Sequence, residues 1–262
     1  MDLRLSGKKA IVSGSTAGIG LAAAQTLAAE GADVVLNGRS PARVEAAVQH
    51  IRAALPKARV SGVAADLATR AGAETLRTAV PEADILVNNL GIFDPKPFDQ
   101  ISDEEWTRFF EVNVLSGVRL SRAYLPGMLK RNWGRIVFVS SESGINIPSE
   151  MIHYGMTKTA QLAVSRGLAE LTKGTAVTVN SVLPGPTKSE GVEAFVDKLS
   201  AGKPFEEFEQ EFFNSVRPAS LLRRFATVEE IASLIAYVCS PLAAATNGAA
   251  LRCDGGIVHT IV

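Results

Sequence analysis

Short runs of consecutive apolar residues alternate along the chain with longer segments in which apolar residues recur every three or four positions. The short runs are rich in β-branched residues and are bounded by Gly, Pro, Asn or Asp, as strands commonly are. The longer segments have the period of amphipathic helices. Because the strand candidates are apolar at nearly every position, we expect helices to cover both faces of a parallel sheet. The predicted strands lie at residues 8–14, 33–38, 59–66, 83–89, 134–141, 176–185 and 248–256.

The predicted helices follow the strands in turn. Ser40 followed by Pro41 predicts one helix start. The capping-box pair Ser102 and Glu105 predicts another, which opens either one long helix or two. The alternation predicts an α/β Rossmann-type fold, with a single domain over residues 1–262 and a doubly wound parallel sheet of about seven strands. The predicted helices lie at residues 21–31, 40–55, 69–80, 102–130, 154–173 and 227–240.

Residues 187–226 interrupt this alternation and carry six of the eleven phenylalanines. Phe205, Phe208 and Phe212 are spaced i, i+3 and i+7, so they would share one face of a helix. That face either packs on the core of the protein or covers a partly apolar substrate. We expect residues 187–226 to form a helical lid over the substrate within the single domain. The phenylalanines of this segment are Phe195, Phe205, Phe208, Phe212, Phe213 and Phe225.

The charges of the chain are balanced, with 27 Lys plus Arg against 27 Asp plus Glu and a sequence pI of about 6.9. A nucleic-acid-binding domain normally shows a basic stripe or a pI above about 9, so neither nucleic acid nor an anionic membrane is an expected partner. Cys239 and Cys253 form no CxxC pair, which predicts two reduced thiols and no metal site. The start of the chain lacks a signal-peptide pattern and no apolar run approaches the ~18 residues of a membrane span, so we expect a cytoplasmic protein.

The first predicted strand runs into a glycine-rich turn that opens the first helix. Gly14, Gly18 and Gly20 stand where the backbone must approach a ligand and where the helix must pack closely on the strand. The helix start offers free N–H groups and the positive end of the helix dipole, which suits a pyrophosphate. A tight turn without a ligand is the alternative, but the position in the first βα unit favours a nucleotide site.

The end of the second predicted strand indicates which dinucleotide would bind. An acid at this place normally binds the ribose of NAD, whereas an arginine accepts the 2′-phosphate of NADP. Asn37, Gly38 and Arg39 include no acid, and Arg39 can pair with a phosphate. The nearest acid, Asp33, lies at the start of the strand. The sequence therefore favours NADP(H), with a solvated Arg39 as the alternative.

Tyr154 and Lys158 lie one helical turn apart, and such a pair taken alone is usually an ordinary surface contact. Together with the motifs around it, the pair resembles the YxxxK motif of the short-chain dehydrogenase/reductase family, in its 3-oxoacyl-reductase-like branch. SGSTAGIG at 13–20 is similar to the family's TGxxxGxG, and NNLG at 88–91 to its NNAG, with Leu90 in place of Ala. The other matching residues are Asn113 in the fourth helix, Ser141 after the fifth strand, and Pro184 and Gly185 after the sixth.

The resemblance implies roles for the residues of a catalytic site. Tyr154 would be the acid/base, and Lys158 would bind the nicotinamide ribose and lower the pKa of the tyrosine. Two serines, Ser140 and Ser141, end the fifth strand, and the family's usual spacing of thirteen residues before the tyrosine selects Ser141. The Ser141 hydroxyl would hold the carbonyl oxygen of the substrate, and Asn113 would hold a water that links Lys158 to solvent.

The resemblance also implies a set of cofactor contacts. Asp66 and Leu67 match the family's adenine contact, and the residues near 89–91 match the stretch beside the adenosine ribose. Beyond the sixth strand, the backbone of Thr187 would meet the carboxamide and Ser189 the phosphates. The complete set of predicted cofactor-binding residues is Gly14, Ser15, Thr16, Gly18, Ile19, Gly20, Asn37, Gly38, Arg39, Asp66, Leu67, Asn89, Gly91, Tyr154, Lys158, Pro184, Gly185, Thr187 and Ser189.

The function implied by the resemblance is NADP(H)-dependent hydride transfer to or from a small-molecule carbonyl or secondary alcohol, of the 3-oxoacyl or ketone type. One alternative is a non-catalytic dinucleotide sensor, which we would expect to lack the tyrosine or the lysine. Another is an epimerase or dehydratase on a nucleotide sugar, with a different glycine spacing. The family commonly forms homotetramers or homodimers, and helix 154–173 is apolar around much of its circumference, as an interface helix would be. Burial of that helix within the monomer is the alternative.

Two further features near the predicted site have a less specific interpretation. His153 adjoins Tyr154 but has no acidic neighbour to orient it, so we interpret it as substrate-facing or exposed rather than as the acid/base. The arginines at the end of the predicted lid are interpreted as solvated, with contact to an acidic substrate group as the alternative. These are Arg217, Arg223 and Arg224.

Overall fold

The computed structural model describes residues 2–190 and 204–261, which are organised around a seven-stranded sheet. All six pairings in this sheet are parallel, and the strand order is β3-β2-β1-β4-β5-β6-β9. The predicted parallel sheet of about seven strands is confirmed. Its strands are β1 (Lys9–Val12), β2 (Asp33–Gly38), β3 (Val60–Ala64), β4 (Ile85–Asn88), β5 (Gly134–Val139), β6 (Val177–Pro184) and β9 (Ala250–Cys253).

Helices cover both faces of the sheet and bury an apolar layer on each. Leu27, Val48 and Ile235 belong to the cluster on one face, which joins α1, α2 and α8. Leu76 and Leu120 belong to the cluster on the other face, which joins α3, α5 and α6. The sheet is therefore doubly wound, as the apolar strand pattern predicts. The helices are α1 (Gly18–Ala29), α2 (Pro41–Ala54), α3 (Arg70–Ala79), α4 (Asp103–Phe110), α5 (Ser116–Lys130), α6 (Ile152–Glu170), α7 (Phe205–Ser215) and α8 (Val228–Cys239).

Local capping interactions fix where several helices begin. The Ser40 side chain accepts a hydrogen bond from Arg43 N at the start of α2. Ser102 and Glu105 form the predicted capping box at the start of α4. The first helix starts three residues earlier than predicted, at Gly18, because the glycine-rich turn is itself the first turn of α1. Side-chain acceptors at an N-cap satisfy N–H groups that have no partner within the helix, so these starts could be read from sequence.

The segment predicted as one long helix or two is a nearly continuous helix with a π-helical turn in its middle. Residues Glu111–Leu115 form this turn between α4 and α5. A π turn inserts one residue into the helical repeat and often marks a functional position. Asn113 lies in the turn and is fully buried. The turn therefore directs a polar side chain into the interior of the protein.

Residues 187–226, which interrupt the alternation of strands and helices, begin and end at a second, two-stranded sheet. Strand β7 (Thr187–Lys188) pairs in parallel with β8 (Ala226–Thr227). Between them, Phe208, Phe213 and Phe225 form a separate buried cluster, and the other two phenylalanines of α7 pack against it. Phe195 lies outside the described residues. The phenylalanines of α7 thus build a small core of their own.

The two cysteines are free thiols, as predicted. Burial raises the pKa of the Cys239 thiol to about 12, so it remains protonated at neutral pH. Within residues 2–190 and 204–261, no three His, Cys, Asp or Glu side chains are grouped as a metal site would require. None of the helices in the same residues combines the length and the apolar character of a membrane span.

Replacing Tyr124 with Phe should destabilise the fold, because Tyr124 is 2% exposed and its hydroxyl donates a 2.7 Å hydrogen bond to Val80 O at the end of α3. The substitution leaves a buried carbonyl without this donor, which costs about 1–2 kcal/mol. Urea unfolding followed by circular dichroism measures the loss. Tyr237→Phe is the matched control, since Tyr237 is 40% exposed and should change little. Equal stability of the two variants would contradict this prediction.

Candidate active site

The turn between β1 and α1 can be formed only with glycines at particular positions. Gly14 and Gly18 have φ values of +59° and +56°, in the left-handed region that side chains disfavour. A Cβ on Gly20 would lie 2.4 Å from Asn89 Nδ2 and 2.6 Å from Gly14 O. The turn therefore holds the backbone of α1 close to the ends of β1 and β4. It leaves a concave cradle of main-chain atoms, with Ile19 beside the cavity described below.

Buried polar side chains hold this turn in place. The Ser15 hydroxyl donates to Val12 O at 2.7 Å and accepts from Asn37 N at 2.9 Å. Asn37 in turn donates from Nδ2 to Val63 O and Ala65 O, at 3.1 Å each. Ser15 and Asn37 were predicted as cofactor residues, and their side chains point into the protein. Their contribution to a cofactor site is to shape the turn.

The first turn of α1 fits a phosphate group. Ala17 is the N-cap residue, and alanine has no side-chain acceptor for the N–H groups of that turn. Ser189 lies directly over Gly18, with its Cβ 3.4 Å from the position a glycine Cβ would take. The helix dipole and the free N–H groups favour an anion at this place. The cradle therefore fits the pyrophosphate of a dinucleotide.

The ends of β2 and β3 carry the other residues predicted near the adenosine. Arg39 is exposed and follows Gly38 at the end of β2. A Cβ on Gly38 would lie 2.5 Å from Thr16 Cγ2, so only glycine allows this close approach to the turn. Asp66 is exposed after β3, whereas Leu67 is 1% exposed and belongs to the core. Arg39, Thr16 and Asp66 are thus accessible together at one edge of the sheet.

Asn113 ties the π turn, the loop after β4 and α6 together. Its Oδ1 accepts from Ile92 N at 2.8 Å, and its Nδ2 donates to Ile92 O and to Thr157 Oγ1, both at 3.0 Å. The main-chain oxygen of Asn113 accepts from Gln161 Nε2 at 2.6 Å. Gly91 lies beside this network, since a Cβ there would be 3.4 Å from Lys158 Nζ and 3.6 Å from Asn113 Oδ1.

Ser141, Tyr154 and Lys158 come together where β5 ends and α6 begins. The Ser141 hydroxyl lies close enough to Tyr154 to lower the pKa of its phenol. Lys158 Nζ donates to Val139 O at 3.0 Å and lies 5.5 Å from the centroid of the Tyr154 ring. Ser140, the other candidate serine, donates instead to Lys158 O at 2.9 Å. The arrangement therefore favours Ser141 as the serine that faces a substrate.

Burial drives the tyrosine and the lysine towards their neutral forms. It raises the pKa of Tyr154 above its ordinary value of 10, against the smaller lowering by hydrogen bonding with Ser141. Burial also lowers the pKa of Lys158 to about 7. The protein's own groups thus shift the pKa of Tyr154 in the direction opposite to the lowering that the resemblance implies, because desolvation outweighs any effect of the nearby amine.

A cavity of about 710 Å³ opens over these three side chains. Gly91, Gly185 and Thr187 line it on the side of the sheet. Phe208 and Phe212 of α7 line the opposite wall. Pro184 also borders the cavity, and a Cβ on Gly185 would lie 2.6 Å from Asp254 O, so the chain after β6 passes tightly against the loop after β9.

Arg217 lies inside this cavity, which corrects its interpretation as a solvated side chain. Its guanidinium contacts Glu142 at 3.2 Å and Glu150 at 3.0 Å, with 14% of the side chain exposed. Arg223 and Arg224 bind Asn214 and Glu230 outside the cavity. Sequence reasoning missed Glu142 and Arg217. The available signal was a charged residue directly after the two serines of a buried strand.

The interpretation of His153 as substrate-facing or exposed is wrong. The side chain is fully buried, and its ring lies 4.0 Å from that of Phe109 and 5.9 Å from that of Trp106. Burial lowers the pKa of His153, so its neutral form is favoured. Residue 153 points away from the cavity because one step along a helix turns a side chain by about 100°. Met151, two residues earlier, does line the cavity.

Comparison with known proteins identifies the family. A model described as short chain dehydrogenase matches residues 8–200, and the chain belongs to this family. It is 48% identical to "Uncharacterized oxidoreductase YvaG" of Bacillus subtilis (strain 168) over 263 residues, with all of both chains covered. It is 31% identical to the 3-oxoacyl-[acyl-carrier-protein] reductase FabG of Escherichia coli (strain K12), covering 97% of this chain and 99% of that protein.

Solved structures agree with the family assignment. The L-sorbose reductase of Gluconobacter frateurii, complexed with NADPH and L-sorbose, matches with a TM-score of 0.91 and 32% sequence identity over 100% of both chains. The predicted single-domain Rossmann-type fold is confirmed. The protein is an oxidoreductase of the short-chain dehydrogenase family that acts on alcohol or carbonyl groups, and a nicotinamide cofactor is supported.

Replacing Lys158 with Met should raise the free energy of unfolding at pH 7 by at least about 1 kcal/mol, since one pKa unit corresponds to about 1.4 kcal/mol. Burial lowers the pKa of Lys158 from 10.5 in the unfolded chain to about 7 in the folded protein. Stability from this group is therefore present above pH 10.5 and is lost as the pH falls towards 7.

Urea unfolding at pH 7 and pH 9.5 tests this expectation. The advantage of Lys158→Met over the native protein should shrink at the higher pH. Lys173→Met is the control, because Lys173 is exposed near the end of the same helix. An advantage that does not depend on pH would show that Lys158 is not forced towards neutrality.

Proposed function

We propose that this protein is an NADP(H)-dependent oxidoreductase that transfers a hydride between nicotinamide and a carbonyl or secondary-alcohol substrate. The observation that carries this proposal is the meeting of Ser141, Tyr154 and Lys158 at one end of a cavity that begins beside the glycine cradle. A non-catalytic sensor has no need of an acid, a serine and a buried amine in contact, so the geometry favours the enzyme.

In the proposed reduction, Tyr154 gives its hydroxyl proton to the carbonyl oxygen of the substrate. When bound, the reduced nicotinamide supplies the hydride that adds to the carbonyl carbon. Ser141 binds the same oxygen and stabilises the negative charge that develops there. The C=O group becomes CH–OH, and the tyrosine is left as a phenolate. In oxidation Tyr154 accepts the proton instead, and positive charge in the loaded site favours its phenolate form.

Lys158 and Asn113, which both lie beside Gly91, would support this proton transfer. Lys158 would bind the nicotinamide ribose through its ammonium group, which also favours the phenolate of Tyr154. Asn113 fixes the loop after β4 against α6 through four hydrogen bonds. A carbonyl oxygen has two lone pairs, so Asn113 O can hold a water towards Lys158 while it accepts from Gln161.

A preference for NADP(H) over NAD(H) rests on the end of β2. Arg39 is exposed there beside Gly38, at the edge where the adenosine ribose would lie. A guanidinium can form two parallel hydrogen bonds with a phosphate. No acid stands at the end of β2, and the side chain of Asn37 there is turned into the protein.

The substrate side of the cavity favours a partly apolar substrate covered by α7. Phe208, Phe212 and Phe225 line the cavity and belong to the aromatic cluster of this segment. We infer that α7 and Phe225, in the described part of the segment 187–226, form a lid over the substrate; residues 191–203 of the predicted lid lie outside the described residues. The similarity to FabG supports a 3-oxoacyl compound, and the similarity to L-sorbose reductase supports a polyhydroxy ketone.

Self-association into a homotetramer or homodimer fits the surface of α6. The face of this helix that is buried in the monomer carries polar groups, among them Thr157, Lys158 and Gln161. Most of its apolar residues, among them Leu162, Val164 and Leu168, remain half-buried, and Leu171 directly after the helix is 63% exposed. A helix that buries its polar face and exposes apolar side chains is suited to an interface.

Arg39→Ala should weaken NADPH binding by about 10-fold or more, because a hydrogen-bonded charge pair contributes about 1.5–3 kcal/mol. NADH binding should change by less than about 2-fold. Fluorescence titration with the two cofactors measures both values. Arg70→Ala is the control, since Arg70 is an exposed arginine at the start of α3. Native affinities that are equal for the two cofactors, or that favour NADH, would reject the role given to Arg39.

Tyr154→Phe should lower kcat by at least about 1,000-fold while NADPH still binds, because the ring remains and only the transferable proton is lost. The measurement is NADPH consumption with a panel of ketones, sugars and 3-oxoacyl thioesters, beside a fluorescence titration. Tyr124→Phe removes a hydroxyl elsewhere and should retain turnover. Persistent turnover in Tyr154→Phe would mean that another group is the acid.

A further inference from the structure

A carboxylate lies next to the serine of the proposed site. Glu142 is 4% exposed and borders the cavity. Its Oε2 accepts a hydrogen bond from the Ser141 hydroxyl at 2.9 Å and another from the Ser143 hydroxyl. Removing a carboxylate from water is costly unless it gains strong partners. The buried Glu142 carboxylate therefore needs a reason to lie among the polar groups of the cavity.

Arg217 supplies the charge that holds this carboxylate. Its Nε lies 3.2 Å from Glu142 Oε1, and another of its nitrogens lies 3.0 Å from Glu150 Oε1. Arg217 follows α7, so the pair joins the lid segment to the chain after β5. These three side chains form a polar part of the cavity lining beside the phenylalanines of α7, since the Arg217 guanidinium lies 5.9 Å from the centroid of the Phe212 ring.

The hydrogen-bond pattern of Ser141 limits what the serine can do for a substrate. A hydroxyl has one hydrogen to donate. In Ser141 this hydrogen goes to Glu142, while the oxygen accepts from Ser143 N at 3.1 Å. The serine can donate to a carbonyl oxygen of the substrate only if its hydrogen turns away from Glu142. That turn leaves one lone pair of a buried carboxylate without its donor, which is unfavourable.

A hydroxyl group on the substrate can replace the hydrogen bond that Glu142 would lose. If it donates to Glu142 Oε2, the carboxylate keeps its hydrogen bond and Ser141 is free to donate to the carbonyl oxygen. The two anchoring atoms, Ser141 Oγ and Glu142 Oε2, are 2.9 Å apart. That is one hydrogen-bond length, and it suits two oxygens carried on neighbouring carbons.

The charges along the cavity argue against an anionic group at this place. Glu142 and Glu150 border the cavity and share Arg217 as their cationic partner. Within the described part of the chain, Lys158 is the other cationic residue of the lining, and burial lowers its pKa to about 7. A substrate carboxylate would meet the net negative charge of Glu142, Glu150 and Arg217, whereas a neutral hydroxyl would find an acceptor.

We propose that Glu142, positioned by Arg217, determines specificity by binding a hydroxyl on the carbon next to the reacting carbonyl. The substrate class is then α-hydroxy ketones and aldehydes, in preference to plain ketones and to 2-oxo acids. This inference rests on the proposed function, because it takes Ser141 and Tyr154 as the groups that bind the reacting oxygen.

A matched set of three substrates tests the proposal on the native enzyme with NADPH. These are 1-hydroxyhexan-2-one, hexan-2-one and 2-oxohexanoate, which share a chain length and differ in the group beside the carbonyl. The hydroxy ketone should have a kcat/KM at least about 10-fold above each of the others, since a site built to bind a hydroxyl rejects the analogue that lacks it.

Glu142→Gln keeps the shape of the side chain and removes the charge, so the preference should fall to within about 2-fold. The loss should come from the hydroxy ketone, so the readout is the ratio of kcat/KM for 1-hydroxyhexan-2-one to kcat/KM for hexan-2-one. Glu170→Gln is the control, because it removes the carboxylate of a surface pair with Arg166 on the same helix that carries Tyr154. Thermal unfolding and NADPH titration check that each variant is folded.

The outcomes separate this inference from the function on which it rests. Equal kcat/KM for hydroxy ketone and plain ketone, or an unchanged preference in Glu142→Gln, overturns the inference and leaves the proposed function intact. If NADPH binds but no carbonyl compound of the wider panel is reduced, both fail. If Glu142→Gln does not fold, Arg217→Lys replaces it in the test. That variant keeps the positive charge and should lower the preference for the hydroxy ketone.

Discussion

The burial of one amine is the constraint on which the site depends. Lys158 is 4% exposed, and its amine donates a hydrogen bond to Val139 O at the end of β5. Gly91 lies beside this amine, with a Cβ there 3.4 Å from Lys158 Nζ, and Asn113 fixes the loop that carries Gly91. The parallel sheet brings these strand ends to one edge, where ligands of such folds bind.

The same burial explains how binding and chemistry can be coupled. Burial shifts Lys158 towards its neutral form and keeps Tyr154 protonated. In the proposed mechanism the protonated tyrosine is the form that reduction needs, whereas oxidation needs the phenolate, which buried surroundings disfavour. Positive charge in the loaded site would favour the phenolate.

Features that depend on neighbouring residues could be predicted from sequence, and features that depend on distant contacts could not. Apolar strand runs and caps such as Ser102 are local signals, so the sheet and most helix starts were predictable. The burial of His153 depends on Phe109, which is 44 positions away, and the pairing of Glu142 with Arg217 spans 75 positions. The π turn was hidden because one extra residue barely disturbs a hydrophobic period. The roles of Ser141 and Tyr154 stay predictions, supported by their meeting.

The pair of Glu142 and Arg217 connects α7 to Tyr154 through a single chain of contacts. Arg217 follows α7, Glu142 follows the serine, and the serine contacts Tyr154. A displacement of α7 would carry Arg217 with it and leave the buried carboxylate with one fewer partner. If α7 covers the substrate as proposed, the pair of Glu142 and Arg217 would link that cover to the position of Ser141, so that substrate specificity and the exclusion of water would depend on one interaction.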